Sequence, residues 1–292
     1  MKETIDMKKR ILAGMLTMAM GLSIVACGNS KEADTTANTD TAAEGTESTA
    51  DATEGAAESD VDYIKNKGTL IVGITDFAPM DYKDDNGEWI GYDADLAKQV
   101  ADSLGVDVEF VEIDWDNKIL ELQNKSIDVV WNGMTLTPEV TNAMECTNAY
   151  LNNAQVVVVN KDMAEKVTTV EEAASLSFAV ESGSAGEAAA EENGFDYVAV
   201  KSQADAVMEV SAGTSDACII DLLMAGAMVG DGTSYEGLTH TVELTTEEYG
   251  IGCRKGSDLA EYINEQLKTL YADGTMEEIA NTYGVQDAIV AQ

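Results

Sequence analysis

Ile127-Asp128-Val129-Val130-Trp131-Asn132-Gly133-Met134-Thr135-Leu136-Thr137-Pro138-Glu139-Val140 is the stretch on which the fold turns. Its β-branched and aromatic run lies between Asp128 and Asn132-Gly133, which predicts a buried strand that stops at a loop. A helix should follow. Thr137 stands where an N-cap belongs, Pro138 fills the first helical position, where a missing N–H costs nothing, and Glu139 suits the positive end of the helix dipole. The loop would then end on exposed backbone N–H groups. In open α/β folds such a strand-loop-helix corner, at the carboxyl end of a sheet, is where small ligands are held.

Strand and helix signals alternate on both sides of that corner. Thr69 to Ile74 reads as a strand, Tyr92 to Leu104 as an amphipathic helix closed by Gly105, Asp107 to Ile113 as a strand, and Ile119 to Asn124 as a short helix. A second series begins with the strand Ala154 to Val159. It continues through the strand Ser177 to Val180, helices over Gly186 to Glu192 and Gln203 to Ala212, and the strand Asp216 to Ile220. After Tyr249-Gly250-Ile251-Gly252-Cys253 the pattern becomes helical, with Asp258 to Asp273 and Met276 to Tyr283 divided at Gly274. This β-α-β alternation predicts mostly parallel sheet with helices on its faces.

The amino terminus reads differently. Lys8, Lys9 and Arg10 precede an apolar or small-residue run from Ile11 to Ala26, too short for a membrane span and suited to a signal segment over residues 1–26. It ends Ile24-Val25-Ala26-Cys27-Gly28, which looks like a lipobox, so Cys27 is expected to carry a lipid such as palmitate and to begin the mature chain. Residues 27–60 contain almost no large apolar side chain and repeat Thr, Ala, Glu, Asp, Ser and Gly. That composition cannot offset ordering entropy and predicts an acidic tether.

A formal net charge of −37 excludes nucleic acid as a sensible partner. Cys146, Cys218 and Cys253 are an odd set without C-x-x-C spacing, better read as buried thiols than as a metal site or a disulfide framework. No cofactor is implied. The single His240 has no nucleophile or ligand-spaced neighbour, and no G-x-S-x-G occurs, so an enzyme or cell-wall factor is disfavoured.

The opening stretch resembles the Gly-Met-Thr-Ile-Thr-Pro-Glu-Arg signature of the polar-amino-acid substrate-binding proteins of ABC importers, extracellular solute-binding family 3. Further similarities follow in order. Phe77-Ala78-Pro79-Met80-Asp81-Tyr82, Gly91-Tyr92-Asp93-Ala94-Asp95-Leu96-Ala97, Asp114-Trp115-Asp116, Tyr249-Gly250-Ile251-Gly252 and Asp273-Gly274-Thr275 extend the resemblance over essentially all of 61–292. It implies a two-lobed periplasmic-binding-protein-like (type II) α/β fold, each lobe a mostly parallel sheet flanked by helices, with two hinge crossings. Lobe 1 would comprise 61–149 plus 251–292 and lobe 2 155–249, with hinges near 150–154 and 246–250.

The resemblance also implies a ligand site. Phe77 and Trp115 would sandwich the solute, with Asp76 and Tyr82 beside them and Asn132, Gly133, Met134 and Thr135 lining the corner. Glu181, Gly183, Ser184 and Ala185 would supply a second anion-binding loop, and Asp221 would pair an ammonium. One position departs from the family. Val140 stands where an Arg grips the ligand carboxylate, and Arg254, the one Arg after the signal segment, lies elsewhere in the chain. Either backbone N–H groups at Thr135 and Ser184 suffice for an amino acid, or the solute is a cationic amine without a carboxylate. The implied protein is a monomer, anchored by lipid on the outer face of the cell membrane. It would serve an ABC permease or, alternatively, act as the ligand-sensing partner of a membrane receptor.

Overall fold

The computed structural model describes residues 59–292; the expected signal segment, Cys27 and the tether up to residue 58 lie outside the described residues. The strands are β1 (Thr69–Ile74), β2 (Tyr82–Lys83), β3 (Trp89–Ile90), β4 (Asp107–Glu112), β5 (Val129–Thr135), β6 (Met144–Cys146), β7 (Leu151–Asn160), β8 (Ser177–Glu181), β9 (Asp196–Val200), β10 (Ala217–Asp221) and β11 (Leu238–Arg254). Nine form one sheet in the order β4-β1-β5-β11-β7-β10-β8-β9, with β6 also beside β11; β2 and β3 pair separately.

The flanks of this sheet are parallel and its centre is antiparallel. On one flank β1 pairs with β4 and β5; on the other β8 pairs with β9 and β10. Between them β7 and β11 run antiparallel. Up to Tyr249, β11 follows β7; from Tyr249 onward it follows β5 and β6. Tyr249 is opposite Leu151 on one side and Thr135 on the other, so the two halves of the α/β fold are joined where β11 changes neighbours. Trp131, Tyr150 and Tyr249 are fully buried at that junction and pack edge-on or tilted around Tyr150, with centroids 6.5 Å apart.

Several elements differ from the sequence reading. The strand expected to stop at Asn132-Gly133 runs on to Thr135, because β11 supplies pairing partners as far as Tyr249. The helix after it is as expected. The Thr137 side chain accepts from Val140 N at 3.2 Å, and Pro138 opens Pro138–Ala143. β11 begins at Leu238, eleven residues before Tyr249, in a stretch where the sequence reading placed no strand. Its first part is Thr- and Glu-rich, and only the facing β7 makes it a strand.

The tether also ends earlier than expected. Ser59 caps a helix over Asp60–Lys67, and buried Asp60 is gripped by Arg254, with Nη2 2.9 Å from Oδ1. Arg254 also donates to Ile127 O and reaches Asp128, which fastens this helix under β5. No helix among the described residues is long and apolar enough to cross a membrane.

Candidate functional site

Between the two halves lies a cavity of about 250 Å³. That is below the roughly 300–1,000 Å³ of drug-sized sites and suits a solute of few heavy atoms. The first half supplies its aromatic wall. Phe77 caps the turn after β1, where its N–H donates to Asp81 O at 2.7 Å, and packs edge-on to Tyr249 at 6.4 Å. Gly133 makes this possible: its φ is +54°, and a Cβ there would stand 2.5 Å from Phe77 Cε1. Trp115 sits in a single turn over Trp115–Asn117 and is 8% exposed.

Beneath the corner, buried polar groups consume the amides expected to face a ligand. Gly133 N donates to Asp93 Oδ2 at 2.7 Å, and Tyr150 OH donates to the same carboxylate at 2.8 Å. Asn132 accepts from Thr75 N and Oγ1 and donates to Asp81 at 2.8 Å, which ties the loop after β1 to β5. Burial pushes the Asp93 carboxyl up to about 6, and burial with the neighbouring Asp93 raises Asp81 well above the usual carboxylate range. The corner is braced from below by carboxyls. Its Gly133 amide is not free for an anion.

Across the cleft, the second expected anion loop is likewise occupied from within. Gly183 N donates to Glu187 Oε2 at 2.6 Å, Ser184 N donates to Glu181 O at 3.2 Å, and Ser184 Oγ caps the helix Ala185–Asn193 by accepting from Glu187 N. Of the two amides offered as one way to hold a ligand carboxylate, that of Ser184 is directed at Glu181 O. Gly183 has φ +71°, and a Cβ there would lie 2.7 Å from Asp116 Cα, so this loop closes tightly against the turn that carries Trp115.

Two carboxylates face the cavity from the second half. Asp221 ends β10 and receives Asn153 Nδ2, Gln155 Nε2, Gln203 Nε2 and the Tyr249 hydroxyl, the last at 2.6 Å. Burial and the nearby Glu247 raise its pKa well above the usual range. Glu181 is 2% exposed, and its Oε1 has no hydrogen-bond partner among the described residues. Burial pushes its carboxyl up to about 8, although Lys118 pulls the other way.

Of the residues expected at the site, Phe77, Trp115, Asn132, Gly133, Met134, Thr135, Glu181, Gly183, Ser184, Ala185 and Asp221 line this cavity. Asp76 and Tyr82 do not. Asp76 is exposed, and the half-buried Tyr82 packs edge-on against Tyr283 at 6.4 Å. Lys118 and Gln203 line it without having been expected. Lys118 escaped because the helix was read as starting at Ile119, whereas it starts one residue earlier. Val140, where the resembled signature carries Arg, is 4% exposed and also faces the cavity.

Residues 70–286 match the family model of bacterial extracellular solute-binding proteins, family 3. The chain belongs to this family. Among its relatives in Bacillus subtilis, an arginine-binding extracellular protein is 28% identical over 73% of this chain and 85% of its own length. The ABC transporter glutamine-binding protein of the same organism is 30% identical over 77% and 84%. An ABC uptake transporter substrate-binding protein from Streptococcus pneumoniae, solved with bound histidine, superposes with a TM-score of 0.73. It is 26% identical, covering 80% of this chain and all of that one. The fold is thus the two-lobed type II periplasmic-binding-protein arrangement, and the family's members are extracellular solute-binding proteins.

Proposed function

We propose that this protein captures a small amino-acid-like solute between its lobes and delivers it to an ABC permease, without chemical conversion. One observation carries the reading: a small cavity between the halves combines the apolar faces of Phe77 and Trp115 with the buried carboxyls of Glu181 and Asp221. Aromatic faces and carboxylates together suit an ammonium-bearing solute. Closure would be a population shift, driven by the solute's higher affinity for the closed form, and the closed surface is what the permease would read. The chain would act as a monomer, with 61–149 and 251–292 as one lobe, 155–249 as the other, and hinges near 150–154 and 246–250. Cys27 would anchor it by lipid to the outer face of the membrane, its acidic tether giving reach.

A second reading, a cationic amine without a carboxylate, is favoured by Val140 at the cavity wall and by the excess of acidic groups around it. Thermal unfolding against each common amino acid and its decarboxylated amine separates the two. A solute at about a hundred times its Kd should stabilise the fold by roughly 2.7 kcal/mol. Shifts with amino acids support the first reading, shifts with amines alone support the second, and no shift from either set would sink both.

A further inference from the structure

Lys118 is the one cation lining the cavity among the described residues. Its side chain is 6% exposed. The ammonium donates to Trp115 O at 3.2 Å and to Gly183 O at 2.8 Å and sits 5.0 Å over the Trp115 ring. Among the described residues no carboxylate stands within ion-pair distance of it. A buried charge held only by carbonyl oxygens and a ring face is incomplete, because such groups are normally paired with an opposite charge. Lys118 has a third N–H to give.

The complementary half of a zwitterion faces the same cavity. Glu181 presents a buried oxygen without a donor, while Val140 fills the place of the family's guanidinium with an apolar side chain. The amides of Gly183 and Ser184 are spent on Glu187 and Glu181 O. The geometry points to Lys118 as the group that takes the carboxylate of the bound solute, in place of the absent Arg, with Glu181 as the acceptor for its ammonium. This rests on the reading of the cavity as an amino-acid site. A lone ammonium gives a point contact rather than a two-pronged one, so Lys118 needs no fork-shaped space. Burial lowers the pKa of Lys118, while Glu139, Glu181, Asp116 and Glu187 support its charge from a distance.

The test is a cycle between the side chain and the ligand carboxylate. Titration calorimetry first screens the L-amino acids against the wild-type protein; the tightest binder is then compared with its own α-carboxamide on wild type, K118M and K118R. A hydrogen-bonded charge contact predicts that wild type prefers the free acid by about 10- to 100-fold. In K118M that preference should fall to near one, and K118R should keep part of it. A merely structural Lys118 would weaken acid and amide alike and leave their ratio intact, so an unchanged ratio in K118M overturns the proposal while leaving the amino-acid reading in place. If no amino acid binds wild type, the amino-acid reading fails and the assignment of Lys118 falls with it.

Discussion

The ammonium of Lys118 and the carbonyl oxygen of Gly183 meet at 2.8 Å across the cleft, one on the helix Lys118–Gln123 and the other on the loop after β8. Closure therefore has a protein-to-protein contact at its centre, flanked by the backbone approach of Gly183 to Asp116. A Cβ at position 183 would fall 2.7 Å from Asp116 Cα, and φ +71° strains any side chain by about 1–2 kcal/mol. G183A should hold the lobes apart. We expect a wider radius of gyration by solution scattering at saturating solute and affinity lower by about tenfold or more. Unaltered scattering and affinity would show that the two loops do not meet in the bound protein.

Asp221 tests the polar floor. Four donors converge on it, so D221N would set an amide nitrogen among three amide N–H donors and one hydroxyl, leaving donors opposed. An unsatisfied or opposed buried donor costs about 1–3 kcal/mol. The expected result is a lower melting midpoint together with loss of binding for ammonium-bearing solutes. Should D221N melt like wild type, the hydrogen-bond set around this carboxyl is wrong. Y249F, which removes the donor at 2.6 Å, should show a milder stability loss of about 1 kcal/mol.

Much of this is legible in the sequence. The helix Tyr92–Leu104 and the strand Thr69–Ile74 fall where their periodicity puts them, because each buries its apolar positions against its immediate neighbours. The Thr137-Pro138 helix start is local chemistry and reads directly. Long-range pairing is another matter: Leu238 to Glu248 is a strand only because β7 lies beside it. At the site, the aromatic pair and Asp221 could be expected from motif order, whereas the exhaustion of the Gly183 and Ser184 amides could not. Glu187, four residues after Gly183, decides that by folding back onto it. Tyr82 misled for a similar reason, since its true partner, Tyr283, is 201 positions away in the chain but adjacent in space.

Arg254 offers a control for the absent clamp. Its guanidinium is bound to Asp60 and Ile127 O and reaches Asp128, well removed from the residues that line the cavity. R254M would strand the buried carboxylate of Asp60, whereas Asp128 keeps Lys67 and the Ile71 amide. Breaking such a pair typically costs about 3–5 kcal/mol. Denaturant melts should therefore show a large stability loss, while solute affinity of the folded fraction stays within about threefold of wild type, less than 0.7 kcal/mol. A selective loss of affinity without loss of stability would place Arg254 in binding instead.

Glu181 makes the pH dependence specific. Its ordinary pKa of 4.5 rises to about 8 in the folded protein, chiefly through burial. The folded state thus holds a proton between these values that the unfolded chain has released. Stability from this group is complete below about 4.5 and is lost as pH rises through about 8. E181Q carries no such proton, so wild type and E181Q should melt together near pH 5, with wild type falling progressively behind toward pH 9. Binding an ammonium-bearing solute reverses the balance, because a cation beside Glu181 favours the carboxylate. Calorimetry near pH 7 in buffers of different ionisation enthalpy should then record proton release on binding, with Glu181 contributing up to one per site, and E181Q should remove that share. A melting difference that does not change with pH, or binding without proton release, would mean that Glu181 is already ionised in the empty cleft and does not respond to the solute.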